Sequence, residues 1–139
     1  MTIQSKEYTV SASAGDIFGK LSDLNNLKPL AESVQNDKFS LEPIDATRCR
    51  VCISGGLSVT FAVTETIPNE RITLASEDKG LPVSGMLSIN LKEATPSETA
   101  LSAEIDADVP IFLRGMAKPM MQQAVEKLAE VLAKIPYNA

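Results

Sequence analysis

The sequence predicts an α+β protein, in which a curved antiparallel sheet of seven strands wraps around one long C-terminal helix. Three observations lead to this prediction. Apolar residues recur at three- and four-residue steps over residues 110–135, which is the spacing of one buried stripe on a helix. Between residues 37 and 109 the side chains alternate with a period of two, as they do in strands. Turn-forming residues divide that middle region into short pieces, and the chain length of 139 residues favours one domain over 1–139.

The N-terminal part predicts one strand followed by two short helices. Residues 2–10 carry enough β-branched and aromatic character for a strand, with Tyr8 and Val10 on one face. Ser13 is placed to cap a helix from residue 14 to about residue 22, and Asp16 lies in its first turn, where the helix dipole favours an acid. A second helical piece is expected from residue 24 to about residue 31, limited by Pro29.

The middle of the chain predicts six strands joined by short turns, so that consecutive strands are antiparallel neighbours. The expected strands are residues 38–42, 48–54, 57–67, 71–77, 83–92 and 99–109. The residues that separate them are typical of turns: Pro43 with Asp45, Gly55 with Gly56, Pro68 with Asn69, Gly80 with Pro82, and Pro96 with Ser97. Each strand has one apolar and one polar face, which predicts a sheet covered on one side.

The C-terminal stretch predicts a helix roughly 35–40 Å long, enough to cross a small domain. Its interior contains Pro119. Proline lacks the backbone donor, and its ring presses on the carbonyl four residues back, so we expect a kink or a fresh helix start at this position and a mobile first segment.

Composition excludes several classes of function. The chain carries 13 basic and 18 acidic residues, a net charge of −5, which disfavours binding to nucleic acid. No apolar run approaches the ~20 residues of a membrane span, and the N-terminus lacks a signal-peptide core, so a cytoplasmic protein is expected. The sequence contains no histidine, which excludes Ser-His-Asp and Cys-His catalysis within one chain and most zinc sites.

The order of elements resembles the helix-grip fold of the START and birch-pollen-allergen-like superfamily, often called SRPBCC. The resemblance covers nearly the whole chain. It is most specific at residues 10–18 and 21–23, a strand followed by a small-residue turn and a helix with paired apolar residues, and at residues 65–72, a strand–turn–strand unit. The tail is similar to that of a small group of bacterial members. The resemblance implies a cavity between the sheet and the C-terminal helix, which the superfamily commonly uses for lipids, sterols or polyketides.

Two sets of polar residues have a chemical and a structural interpretation. Cys49 and Cys52 form a C-x-x-C pair, but residues three apart in a strand point to opposite faces and lie about 10 Å apart, too far for a disulfide. We therefore expect two reduced cysteines, one buried and one outward. The acidic residues Glu104, Asp106 and Asp108 alternate along one strand. They could contribute to a calcium site, although a solvated outer face explains them better.

Glu65 and the methionines near Pro119 are the remaining candidates. By alternation Glu65 shares a face with Phe61 and Val63, so it could act as an acid or base at a cavity rim, or simply reach water at the nearby turn. Met116, Met120 and Met121 could line a cavity or an adaptable binding surface, or fill the core under the helix. Residues 110–113 could gate an entrance or staple the start of the helix.

The resemblance implies non-catalytic binding of a small hydrophobic or amphipathic, lipid-like ligand between the sheet and the C-terminal helix, and the apolar inward side chains suit such a ligand. The side chains expected to line the cavity are Phe61, Val63, Leu74, Leu87, Ile89, Ile105, Phe112, Leu113, Met116 and Met120. The first alternative is a protein-interaction or dimerisation module without a ligand. The second is an enzyme of the polyketide cyclase or dehydratase kind, with Glu65 as its best candidate. No catalytic residue, metal or cofactor is expected, and the protein is expected to be a monomer or a weak homodimer.

Overall fold

In the computed structural model one antiparallel sheet partly encloses a long C-terminal helix. The structure describes residues 2–28, 39–53, 57–77, 84–108, 111–134 and 137. The strands, in chain order, are β1 (Thr2–Gln4), β2 (Tyr8–Val10), β3 (Phe39–Pro43), β4 (Arg48–Ile53), β5 (Leu57–Ile67), β6 (Arg71–Ser76), β7 (Ser84–Thr95) and β8 (Glu98–Asp108). The helices are α1 (Ala14–Leu21) and α2 (Arg114–Ala133), with 3₁₀ turns at Leu24–Leu27 and Ile111–Leu113.

The sheet follows the predicted succession of antiparallel neighbours. Its order is β1-β8-β7-β6-β5-β4-β3, and β2 also pairs with β8. Six strands lie within a few residues of their predicted bounds, except that β7 continues to Thr95. The turn at Pro68 and Asn69 is present, with Asn69 at a φ of 63°. The turns predicted at residues 55–56 and 80–82, and the limit at Pro29, lie outside the described residues.

The predicted first strand is wrong in one respect, because it is broken into two pieces. Ile3 pairs with Ile105, and Tyr8 pairs with Leu101, so the N-terminal edge contains one residue more than β8 requires. Ser5 bridges the break: its amide donates to the carbonyl of Ala103 at 2.8 Å, and its hydroxyl accepts from the Ala103 amide at 2.9 Å. The backbone amide of the next residue, Lys6, turns away from β8 towards α2.

The short helices form as their capping residues predict. The Ser13 hydroxyl accepts from the Asp16 amide at 3.1 Å, which satisfies one of the free donors at the start of α1. The buried face of α1 comprises Ala14, Ile17 and Leu21. After Asp23 the chain forms a 3₁₀ turn over Leu24–Leu27 and Lys28 keeps helical backbone angles, while residues 29–31 of the predicted second helix lie outside the described residues.

The C-terminal helix is continuous through Pro119, so no fresh helix start occurs there. Burial is nevertheless uneven along α2. Before Met121 no described side chain of α2 is buried, whereas from Met121 onward one stripe is buried, comprising Met121, Ala124, Val125, Leu128, Ala129, Val131 and Leu132. The expected mobility of the first segment stays a prediction.

The hydrophobic core lies between the sheet and the helices. It joins the buried stripe of α2 to Ile17, Leu21 and Leu24, and to the inward residues of the strands. The sheet face that packs on this core is called the inner face below, and the opposite face the outer face. No helix among the described residues is both long enough and apolar enough to cross a membrane.

Candidate functional site

The inner face of the sheet is organised in transverse rows, each formed by paired residues of neighbouring strands. The middle row runs Val63, Leu74, Leu87, Ile105 and Ile3, across β5, β6, β7, β8 and β1. Four of the predicted ligand-binding residues therefore stand side by side in one row. Apolar walls of this kind suit a hydrophobic ligand.

The middle row is not uniformly buried. Leu74 and Leu87 retain only 1% and 3% exposure, and Ile3 retains 4%. Val63 and Ile105 lie in the same row but remain partly exposed. The side chains packed around Val63 and Ile105 therefore leave part of their surfaces accessible.

The row next to the middle row, on the side where β8 ends and α2 begins, consists largely of small residues, and we call it the small-residue row. It includes Phe61, Gly85 and Ala107, with Ser76 paired to Phe61. A side chain on Gly85 would stand 3.1 Å from the carbonyl oxygen of Asp106, a contact with backbone that cannot give way easily. Glycine at this position therefore allows the close approach of the strands.

The structure separates the ten predicted ligand-binding residues into three groups. Phe61, Leu74, Leu87 and Ile89 are buried on the inner face. Val63, Ile105, Leu113 and Met120 are partly buried. Phe112 and Met116 lie on the surface, where 83% and 71% of their areas are exposed.

Polar contacts hold α2 against the N-terminal edge of the sheet. The carboxylate of Glu126 accepts from the Lys6 amide and from the Tyr8 hydroxyl, both at 2.9 Å. One turn earlier, the side-chain amide of Gln122 donates to the Gln4 carbonyl at 3.1 Å. Partial burial and the nearby Glu126 carboxylate raise the pKa of Tyr8 to about 12. This arrangement was not predicted from the sequence, because it depends on the break between β1 and β2.

Glu65 does not share a face with Phe61 and Val63, so that prediction is wrong. Val63 pairs with Leu74, but Glu65 pairs with Thr73, because a β-bulge at Thr64 inserts one extra residue into β5. An extra residue reverses the alternation of side chains beyond it. Glu65 is therefore exposed on the outer face.

The cysteines are placed as expected. Both are free, with Cys49 buried and Cys52 half-buried. Cys49 pairs with Phe61 in the small-residue row. Burial raises the pKa of the Cys49 thiol to about 12, so it stays protonated and weakly nucleophilic near neutral pH. No group of three or more His, Cys, Asp or Glu side chains within the described ranges has the arrangement of a metal site.

The outer face carries a depression of about 250 Å³ lined by residues of β5, β6, β7 and β8. Arg71 and Glu104 form an ion pair across it at 2.8 Å, and Gln4 donates to the same carboxylate at 3.0 Å. Asp106 accepts from the Thr2 hydroxyl at 3.2 Å. Two members of the acidic row are thus partnered within the protein, and Asp108 is exposed, which agrees with a structural outer face.

Comparison with solved structures supports the fold. Norcoclaurine synthase from Thalictrum flavum superposes over 100% of this chain and 87% of its own, with a TM-score of 0.74 and 14% identity. The same enzyme in complex with dopamine and hydroxybenzaldehyde gives 0.72 at 15% identity, over 96% of this chain and 84% of its own. A protein from Thermus thermophilus gives 0.67 at 20% identity, over 96% of this chain and 95% of its own.

These similarities establish the birch-pollen-allergen-like helix-grip fold, as the sequence predicted. At such identities they establish the fold alone. No protein-family model and no curated protein matches the sequence.

Proposed function

We propose that the protein binds a small hydrophobic or amphipathic, lipid-like molecule between the inner face of the sheet and α2, without catalysing a reaction. The observation that carries the proposal is the partial exposure of Val63 and Ile105 in a row whose other members are buried. In a solid core these two side chains would be as inaccessible as Leu74 and Leu87. Space beside them, walled by apolar groups, is what a hydrophobic ligand needs.

The chemistry of the surrounding rows favours binding over reaction. The middle row is entirely aliphatic, and the neighbouring row offers the Ser76 hydroxyl and the Cys49 thiol. The Ser76 hydroxyl already accepts from the Gly85 amide, and the Cys49 thiol has a raised pKa. The enzyme alternative loses its best candidate, since the bulge turns Glu65 to the outer face.

Three further parts of the proposal rest on the sequence. We propose one domain over residues 1–139, a cytoplasmic location in which the two thiols stay reduced, and relationship to a bacterial branch of the superfamily. A bound lipid-like molecule would add stability in proportion to the logarithm of its concentration above the dissociation constant.

The proposal predicts different consequences of enlarging two inward residues. Val63→Phe would extend into the proposed space, so the melting temperature should change by no more than about 2 °C. The same substitution should weaken binding of a fluorescent fatty acid about tenfold, because it occupies the ligand's volume. Ala103→Phe is the matched control. Ala103 is 0% exposed on the same face, so overpacking should destabilise the protein by about 1–3 kcal/mol.

The ligand itself is sought by organic extraction of purified protein and mass spectrometry, with a thermal-shift screen of fatty acids and sterols. The proposal is contradicted if nothing is extracted and no compound raises the melting temperature. It is also contradicted if Val63→Phe binds fatty acid as the unmodified protein does, since the exposure of Val63 would then face open solvent.

A further inference from the structure

The segment that begins α2 is the most exposed apolar surface in the described part of the chain. We call residues 111–119 the helix tip. Ile111, Phe112 and Met116 expose 79%, 83% and 71% of their surface. Only Leu113 among its described side chains is partly covered, and a side chain added at Gly115 would meet nothing within 4 Å.

These exposed apolar residues lie close together in the sequence, unlike the other exposed apolar residues that the structure describes. The other large apolar residues exposed in the described ranges are Ile44, Ile67 and Met86, at 37%, 38% and 46%. They lie far apart in the sequence and are less than half exposed. Single exposed apolar residues need no explanation, whereas three that are each at least 71% exposed within six positions indicate a surface that contacts a membrane or another molecule.

The position of α2 along the sheet explains why the tip is uncovered. Glu126 is level with Lys6 and Tyr8, and Gln122 is level with Gln4. The four residues from Gln122 back to Lys118 span about 6 Å, and the two strand residues from Gln4 back to Thr2 span nearly the same length. Lys118 is therefore level with Thr2, where β1 begins. Residues before Lys118 therefore project past the end of β1. Phe112 lies about 9 Å beyond Lys118 along the helix axis.

The charge of this segment is opposite to that of the protein. Residues 109–125 include Arg114 and Lys118 and no acidic residue. The rest of the chain carries 11 basic and 18 acidic residues, a net charge of −7. Asp108, the acidic residue that precedes this segment, points to the outer face of β8 together with Asp106. The start of a helix also carries the positive end of its dipole, and no side chain caps α2.

We propose that the helix tip docks end-on onto an anionic lipid surface. Ile111 and Phe112 would enter the apolar boundary, and Met116 would follow on the next turn. Arg114 and Lys118 lie about 3 Å and 9 Å behind Phe112 along the axis, within the depth at which interfacial helices meet headgroups. Anionic lipid adds attraction for each such cation.

A second copy of the chain fits the tip less well. A twofold contact places the same patch against itself, so two patches that each carry Arg114 and Lys118 and no acidic residue would be brought together. A protruding, positively charged tip is instead complementary to a flat, negatively charged layer. The docking does not require an occupied cavity, and it goes beyond the proposed ligand binding.

Flotation with vesicles tests this inference on the full-length protein. Vesicles of phosphatidylcholine with about 30% phosphatidylserine should bind the protein, and phosphatidylcholine alone should bind it at least about fivefold more weakly. Phe112→Ser should reduce binding about tenfold, because a large apolar side chain no longer leaves water. Lys118→Gln should reduce it about fivefold on the anionic vesicles only. Met86→Ser, which removes an exposed apolar residue on the outer face, should leave it unchanged.

Other outcomes overturn the inference and leave the ligand proposal open to its own test. The inference fails if neither vesicle binds, or if Met86→Ser weakens binding as much as Phe112→Ser does. It also fails if light scattering shows a dimer that Phe112→Ser dissociates while vesicles stay unbound, since the occupant would then be a second copy. Fatty-acid affinity measured without vesicles should be the same for Phe112→Ser as for the unmodified protein.

Discussion

Removing the Glu126 carboxylate should release α2 from the N-terminal edge of the sheet. In Glu126→Ala the backbone amide of Lys6 and the hydroxyl of Tyr8, both on the sheet edge, lose their acceptor. The Gln122 side-chain amide loses a longer bond of 3.3 Å but keeps its bond to the Gln4 carbonyl. The Lys6 amide cannot return to β8, because the break between β1 and β2 has removed Lys6 from the ladder. The perturbation therefore acts on a contact between elements more than 100 residues apart in sequence.

The expected loss follows from the two hydrogen bonds. A bond to a charged acceptor contributes about 1.5–3 kcal/mol, and partial solvent access reduces this, so Glu126→Ala should cost about 2–3 kcal/mol in the free energy of unfolding. For a chain of this length the entropy of unfolding makes 1 kcal/mol worth about 3 °C. Differential scanning calorimetry should therefore show a melting temperature lower by about 6–9 °C. A double-mutant cycle with Tyr8→Phe should show a coupling of about 1 kcal/mol between the two side chains.

Glu130→Ala is the matched control, because it removes a carboxylate one turn further along the same helix. Within the described ranges the ion pair of Glu130 is with Lys134, at 3.1 Å, and its charge acts on Lys6 and Tyr8 only from a distance. Such an i,i+4 pair contributes about 0.3–0.5 kcal/mol, so the melting temperature should fall by about 1–2 °C. Equal losses in the two variants, or no coupling between Glu126 and Tyr8, would refute the attribution of helix docking to Glu126.

Two further predictions concern the buried titratable groups. The pKa values of Cys49 and Tyr8 are raised to about 12 from ordinary values of 9.0 and 10.0, and burial also raises the pKa of Tyr137. Because the unfolded chain loses these protons at lower pH than the folded protein, the free energy of unfolding should be unchanged below about pH 9 and fall as the pH approaches 12. Urea midpoints measured from about pH 8 to 11 check this. In Cys49→Ala the fall in stability should begin at a higher pH. In the native protein a thiol reagent should label Cys52 and leave Cys49 unreacted until denaturant is added, and two equivalents at equal rates would contradict the burial of Cys49.

The parts of the fold that the sequence predicted are those set by local periodicity. Alternation with a period of two located six strands because one face of each is buried, and the turn residues between them permit the sharp reversals of an antiparallel order. The cap of α1 was predictable because Ser13 acts on an amide three residues away. Such signals depend on neighbours along the chain, so they survive without knowledge of tertiary contacts.

The candidate site was less predictable because it depends on single-residue shifts of register. The extra residue at Thr64 leaves the composition of β5 unchanged, yet it reverses the face on which Glu65 lies. The same holds for the extra residue between Ser5 and Tyr8, which frees the Lys6 amide for Glu126. Nothing in a period of two marks where a strand gains one residue, so alternation carried across a bulge assigns the wrong face.

A continuous apolar stripe on a helix also does not say how far its partner surface extends. From Leu113 to Leu132 the stripe has one period, but burial begins at Met121, because the strand β1 beside α2 extends only to the level of Lys118. Phe112 and Met116, which were expected to line a cavity, lie beyond that end of β1 and are exposed. The apolar stripe of α2 is therefore divided into an exposed part and a buried part. The later turns of α2 close the core, and its first turns stay exposed because β1 does not extend beside them. An apolar surface suits a lipid-like ligand inside the protein as well as a lipid layer outside it. The position of α2 along β1 determines which apolar residues of the helix face the interior and which face outwards.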